Sequence, residues 1–474
     1  MYNPQDTDMS LELSEKVDAA ISEGIWQAQM KQMHGRKLVR RRIGGLAAAC
    51  LLFAACLFTI RVSPVFAAMV RDIPGFERFV DLISHNMDKG IQLAVDHDFV
   101  QPVQVSDEHD GVKLTVQGII ADDARMVMFY EIELPDQVKG TTVQLDQPSL
   151  LDASGQPLLA SIGFNYPDEA KQDDFSSGIQ RGTADFHLAK DAVFPDEVTF
   201  QVNLIRPEPS LSSERAKSLQ AGTDDSFELD LARDEGTKYE LRIPIDQAKF
   251  AGLRQEYDIN QTIQVEGQAV SFTKAVVSPL HVSLYMDYGA DNTKQIFGAG
   301  DIWLVDDEGR IWNNTSASVT KDHPVYNFES PYFIKPSSLH VEGTWFRALD
   351  KDQMTVKVNT ETKQVLEAPD DKIALHDVTS TNEYTKLDFA ISGLDAEDHM
   401  MYSLFENGFV DAGGQNYNEA ALKGETVSGY SSSSQPDVQH DLFYIENKAY
   451  QQPLTFTIYS YPGYIRQPYD IRIK

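Results

Sequence analysis

Eleven histidines and 72 acidic residues are the side chains of this chain best suited to chemistry, yet their spacing encodes no recognisable reaction. There is no His-Glu-x-x-His pair, no Gly-x-Ser-x-Gly elbow and no glycine-rich phosphate loop, and no His/Cys group has zinc-site spacing. The nearest approach is a set of acidic clusters: Asp122-Asp123, Asp306-Asp307-Glu308 and Asp370-Asp371. Calcium asks for roughly six to eight converging oxygens, and none of these clusters follows the loop pattern that supplies them. They are expected to be solvated turn residues. His281 and His376 fall within strand patterns, where a histidine with a structural partner is expected. Tyr444, Tyr450, Tyr459, Tyr461, Tyr464 and Tyr469 crowd the C-terminal region, and aromatic residues there suit a binding face or simply strands. The residues predict a non-enzymatic protein with no catalytic residue, metal or cofactor.

The elements that would position these residues are mostly strands. From Val100 onward apolar residues alternate with polar ones, as in Val112, Leu114 and Val116 or Val198, Phe200, Val202 and Leu204, with turn signals such as Asp306-Asp307-Glu308-Gly309 between them. A weak internal repeat joins 111–134, 267–289 and 372–393, each a strand, a short break and a strand. Three occurrences predict three β-rich units in series, expected to be sandwiches. Before them, Phe76, Phe79, Val80 and Ile83, then Ile91, Ala94 and Val95, predict one or two amphipathic helices with a break near Gly90. The polar stretch from Pro207 to Asp225 marks a linker or long loop, and a softer seam lies near Asn359–Lys363.

One uncharged apolar run, Ile43 to Ile60, has the length of a membrane helix, about 27 Å against a hydrocarbon core of about 30 Å. Arg40, Arg41 and Arg42 precede it and Arg61 follows, and with Lys31, Arg36 and Lys37 the basic excess lies on the N-terminal side. The positive-inside rule then places residues 1–42 in the cytoplasm and the bulk outside, in a single-pass protein of the cell membrane. A cleaved signal peptide fits less well, because the preceding segment is long and Arg61 interrupts the run before any cleavage site. Both cysteines, Cys50 and Cys56, lie inside the run, so the body is expected to fold without disulfides, which fits a bacterial source. The formal charge of −31 repels nucleic acid and anionic lipid, and it attracts cations or basic peptides.

The fold class expected is mainly β: a short cytoplasmic helix, one transmembrane helix, a helical stalk and about three β-sandwich-like extracellular units. The divisions are 1–42, 43–63, 64–206, 207–360 and 361–474. Residues 10–33 form the amphipathic cytoplasmic helix, too short to be stable alone in water.

Arg61-Val62-Ser63-Pro64-Val65-Phe66-Ala67-Ala68, then Ile73-Pro74-Gly75, Asp88-Lys89-Gly90 through Val95, and 119–132 (IIADDARMVMFYEI) carry a resemblance. This order resembles a family of Gram-positive single-pass membrane proteins with an uncharacterised membrane-proximal extracellular domain. Members are taken to be anti-sigma factors of extracytoplasmic-function sigma factors. Gly267–Tyr288 resembles a second uncharacterised domain that accompanies the first. The resemblance implies no enzyme activity. Residues 1–42 lack the His-x-x-x-Cys-x-x-Cys pattern of a zinc-type anti-sigma domain, so a sigma factor would be held by one helix through Leu13, Val17, Ile21 and Ile25. The partners expected are that sigma factor, the lipid bilayer and an unknown envelope ligand, with no direct nucleic acid. The alternative is a non-enzymatic envelope-binding or scaffold protein.

Overall fold

The computed structural model describes residues 88–136, 143–165, 178–189, 192–205, 236–318, 322–421, 429–432 and 435–474, all within one compact unit, Ala68–Lys474. The apolar run, Leu13, Val17, Ile21, Ile25, Arg40, Arg41, Arg42 and Arg61 lie outside the described residues. Among the described residues no helix is long and apolar enough to cross a membrane. The body is mainly β, built around three hydrophobic cores.

The described residues open with helix α1 (Lys89–Asp96), capped by Asp88, whose carboxylate accepts from Gly90 N and Ile91 N. The helix starts at Lys89 after an extended Asp88, so a helix boundary falls beside Gly90 as expected. Gly90 lies in the first turn, where a Cβ would sit 2.6 Å from the Ser330 backbone nitrogen. The bare glycine lets the helix press against a neighbouring strand end, and Ile91, Ala94 and Val95 are buried. Burying Ile91 and Val95 contributes roughly 1.5–3 kcal/mol each.

The first unit holds β1 (Gln101–His109), β2 (Val112–Ala121), β3 (Arg125–Glu133), β4 (Gln144–Leu151), β5 (Ala160–Asn165), β6 (Ile179–Leu188), β7 (Glu197–Ile205) and β8 (Thr237–Pro244). Two antiparallel sheets, β1-β2-β3-β6-β5 and β4-β7-β8, enclose the first core as a sandwich. β8 shows the alternation that a one-sided strand requires, with Tyr239, Leu241 and Ile243 inward and Lys238, Glu240 and Arg242 outward. β3 is buried on both faces: Met126 and Met128 join the core, while Val127 and Phe129 are buried outside it. That is why alternation across 111–134 is loose. β8 pairs with β7 across the polar stretch 207–225, so this stretch is a connection inside the first unit and the expected boundary at 206 moves to about residue 250.

The second unit comprises β9 (Gln255–Val265), β10 (Gln268–Val277), β11 (Val282–Tyr288), β12 (Lys294–Ala299), β13 (Ile302–Asp306), β14 (Ile311–Ser318), β15 (Val325–Phe328) and β16 (Leu339–Asp350). They form one continuous sheet, β12-β16-β13-β14-β15-β11-β10-β9, curled around a single core and more barrel-like than its neighbours. β14 makes the bend: its first residues pair with β13, its last with β15, with a bulge between Asn314 and Ser316.

The third unit contains β17 (Thr355–Asn359), β18 (Gln364–Glu367), β19 (Ile373–Ser380), β20 (Tyr384–Ile391), β21 (Phe405–Val410), β22 (Asn416–Asn418), β23 (Gly429–Ser432), β24 (Gln435–Glu446) and β25 (Leu454–Ile458). Sheets β18-β17-β25-β21-β22 and β19-β20-β24-β23 sandwich a phenylalanine-rich core. The expected division at 361–474 does not hold at either end. β17 already belongs to the third core, and the last strand, β26 (Tyr464–Arg472), returns to pair with β16. Ile465, Tyr469, Ile471 and Ile473 complete the second core, so the third unit is an insertion in the second.

One carboxyl in the third core has a consequence for stability. Asp441 is buried and accepts from Leu404 N at 3.0 Å. Burial, helped by Glu419 and Asp388 and opposed by that hydrogen bond, pushes its carboxyl up to about 7. Between pH about 4 and about 7 the unfolded chain loses this proton while the folded chain keeps it, so the folded state weakens as pH rises through that window. Asp441→Asn is expected to stabilise the third unit at pH 8 by on the order of 3 kcal/mol, seen as a higher melting temperature, and to leave it unchanged at pH 4. Paired thermal melts at the two pH values check this.

Candidate functional site

The three repeated segments fold alike. In each hairpin the first turn residue donates its backbone N–H to the carbonyl three residues on: Asp122 to Arg125 at 2.9 Å, Ser278 to His281 at 2.9 Å and Thr381 to Tyr384 at 2.8 Å. Each carries a register shift five residues before the turn, at Gln117, Thr273 and His376. The weak sequence repeat is thus one bulged hairpin used three times.

The first two hairpin tips meet, and α1 closes over them. Arg125, 2% exposed, reaches Asp185 through Nε at 3.0 Å and Nη2 at 2.6 Å, the Leu280 carbonyl through Nη1 at 2.9 Å, and Asp88 through Nη1 at 2.7 Å. The Asp185 contact is a two-pronged pairing, the strongest geometry open to a guanidinium. Burial works against the charge on Arg125, but Asp185 and Asp88 outweigh it and raise its pKa. Burial likewise opposes ionisation of Asp185, yet Arg125 holds it well below the usual carboxylate range.

Asp122 is fully buried. Its Oδ1 accepts from Ala124 N and Arg125 N, and its Oδ2 from Leu280 N at 2.9 Å and His281 Nδ1 at 3.1 Å. Burial disfavours both charges, but each partner sustains the other, lowering the Asp122 pKa and raising that of His281. Asp123 accepts from Ser278 Oγ at 3.0 Å and faces Arg254 at 3.3 Å. Asp122, Asp123 and His281 lie close enough to suggest a cation site. The donor set does not fit one: both Asp122 oxygens already accept N–H groups, and the histidine nitrogen facing them is engaged with Asp122.

Lys89 pins α1 to the second unit. Its backbone N–H donates to Glu329 Oε1 at 3.0 Å and its ammonium to the Ile311 carbonyl at 2.6 Å, while His97 stacks on Phe333 at 4.7 Å. Chemically the arrangement is a clasp: it joins the start of the body to both of the first two β units through buried charge.

The sequence-based expectations fare unevenly. Asp122 is a buried junction residue rather than a solvated one. Asp306 is also buried, and accepts from Glu308 N, Arg310 N, Arg310 Nε and Trp312 Nε1. His281 has the structural partner expected of it. His376 is exposed and lies beside the ring of His440. The tyrosines form no single face: Tyr461 and Tyr469 are buried, Tyr464 bonds Asp398, and Tyr459 is 61% exposed. Asp185 and Glu329 were not singled out from sequence, and Asp88 entered only as part of the Asp88-Lys89-Gly90 motif of the resemblance. Arg125 carried a signal, as a lone cation at the edge of the apolar stretch Met126–Tyr130. A separate groove of about 750 Å³ at the end of the second unit is lined by Phe297, Trp303, Ile311, Asn313, Arg347 and Met400.

Two family descriptions match parts of the chain. "Domain of unknown function (DUF4179)" matches residues 37–134, and "Family of unknown function (DUF5643)" matches residues 254–368. The first contains Asp88, Asp122 and Arg125; the second contains Ser278, Leu280, His281 and Glu329. Both sides of the clasp therefore lie within matched segments, with Asp185 outside. No curated protein matches the chain. A solved structure described as "The crystal structure of the conserved domain protein from Bacillus anthracis" is similar at a TM-score of 0.36 and 14% identity, over 60% of this chain and 87% of that one.

Proposed function

We propose that this chain is a membrane-anchored regulator, non-enzymatic, whose body binds or senses a component of the cell envelope and whose residues 1–42 hold an extracytoplasmic-function sigma factor in the cytoplasm. The observation that carries the reading is the continuity of the first matched segment. It begins at residue 37, before the apolar run, and continues through α1 to the end of β3. The chain that follows the run is thus no free tether by the time it reaches Asp88. It is capped, buried, ion-paired to Arg125 at the first unit's hairpin tip and hydrogen-bonded to Glu329 of the second unit. A ligand that shifts those units acts directly on the segment leading to the membrane.

Deletion of residues 1–42 tests the reading in the source cell. The transcripts that depend on the sigma factor are expected to rise to a constitutive level. A transcript profile identical to wild type would count against regulation and favour the envelope-binding alternative.

A further inference from the structure

The outer face of the β1-β2-β3-β6-β5 sheet is buried along its middle. Register aligns Ile120, Val127 and Asp185 in one row across β2, β3 and β6, then Gly118, Phe129 and Thr183, then Thr115, Glu131 and Arg181. Ile119, Met126, Met128, Tyr130 and Ala184, which alternate with them, belong to the first core, so the three rows face the other way. Ile120, Val127 and Phe129 are nevertheless at most 1% exposed, and they belong to none of the three cores. Beyond β2 and β6, no described element makes more than slight contact with β3. A sheet face left to water reads polar. This one is apolar in its centre and closed by ion pairs, Arg125 with Asp185 at one end and Glu131 with Arg181, 2.7 Å apart, at the other.

The buried stripe has the dimensions of one helix. On the edge strands the same face is exposed, at Pro102 and Ser106 of β1 and at Ser161 and Gly163 of β5. The three inner strands span about 10 Å, the width of a helix, and Arg125 to Glu131 runs about 20 Å. Asp88 lies against Arg125 at one end of the stripe. The twelve residues before it, 76–87, lie outside the described residues and would extend about 18 Å as a helix. Helical spacing puts Phe76, Phe79, Val80 and Ile83 on one side and Arg78, Asp81 and His85 on the other. The connections 137–142 and 166–177, which also leave this sheet, are polar, and the second carries Asp168, Glu169, Asp173 and Asp174.

We propose that residues 76–87 form an amphipathic helix seated lengthwise on the β2-β3-β6 face, with Phe76, Phe79, Val80 and Ile83 packed on Ile120, Val127 and Phe129. The segment that the sequence suggests as a stalk is then a layer of the first unit, whose fold begins near Phe76. The seat stands whether or not residues 1–42 hold a sigma factor.

Amide hydrogen exchange of the full chain in detergent micelles tests this. In the wild type, 77–87 are expected to exchange about a hundredfold slower than an unstructured chain. Phe79→Ala is expected to speed exchange over both 77–87 and 125–131 by about tenfold, and Phe129→Ala to do the same, while Arg78→Ala changes neither. Unprotected 77–87 in the wild type, or equal behaviour of Phe79→Ala and Arg78→Ala, would overturn the proposal. Protection of 77–87 that ignores Phe129→Ala would place the helix on the micelle and overturn it too. Protection of 125–131 that falls on dilution, with 77–87 exchanging freely, would assign the face to a second copy of the chain instead.

Discussion

Arg125→Met is expected to destabilise the junction by about 3–5 kcal/mol, the penalty for removing one partner from a buried ion-pair group. Asp185 and Asp88 would be left as carboxylates with side-chain exposures of 17% and 7% and no guanidinium between them. The Leu280 carbonyl would lose its donor as well. Because Asp88 also caps α1, the effect reaches the helix directly. Amide hydrogen exchange is the suitable readout, since it resolves one part of a large chain from another. Exchange over 89–96 and at the 278–281 tip is expected to accelerate, while the strands of the third unit, 373–391 and 435–446, keep their protection. Arg125→Lys keeps the charge but loses the two-pronged geometry, and falls between the two. Combining Arg125→Met with Asp88→Asn and Asp185→Asn removes the unpaired charges and is expected to recover much of the loss. If Arg125→Met left exchange at 89–96 unchanged, the clasp would not be what holds α1.

Gly300→Ala is expected to cost about 3 kcal/mol, at the upper end of ordinary overpacking. A Cβ on Gly300 would stand 2.1 Å from the Trp345 ring, which is fully buried. Neither side can retreat. The glycine N–H donates to the Trp345 carbonyl at 2.9 Å, and Asp301 accepts from Thr344 N at 2.7 Å and Trp345 N at 3.1 Å, so the loop is tied to the strand it faces. The indole meets Tyr464 edge-on at 5.3 Å, and the Arg347 guanidinium stands 4.9 Å from its centroid. β26 pairs with β16 at this point, Trp345 opposite Arg466, so a displaced indole loosens the strand that returns from the third unit. Gly163→Ala is the control, with open space at its Cβ position. Denaturation midpoints of the two variants should separate clearly; equal midpoints would mean that the loop yields more easily than its hydrogen bonds imply.

Much of the β architecture was legible because its signal is local. Strands such as β8 and β7 alternate cleanly, and the repeat at 111–134, 267–289 and 372–393 marked three real hairpins with the same bulge and turn. Boundaries were less legible, because composition reports exposure and not pairing. The polar stretch at 207–225 resembles a linker although β7 and β8 pair across it. The return of β26 to β16 spans more than a hundred residues of chain, and no local pattern in Tyr464–Arg472 names its partner. The clasp was hidden for the same reason. Asp122 and Asp123 look like turn residues, as they are, but their burial comes from Leu280 and His281 more than 150 positions away. Gly90 marked the helix start at Lys89, but not its close approach to Ser330, which depends on a residue 240 positions away.

In the regulatory proposal, residues 1–42 hold a sigma factor. The most direct measurement is capture of cytoplasmic partners on residues 1–42, identified by mass spectrometry, with Val17→Asp in parallel. An extracytoplasmic-function sigma factor is expected on the wild-type segment and is expected to be lost on Val17→Asp. Recovery of no sigma factor, or equal recovery on both segments, would contradict it.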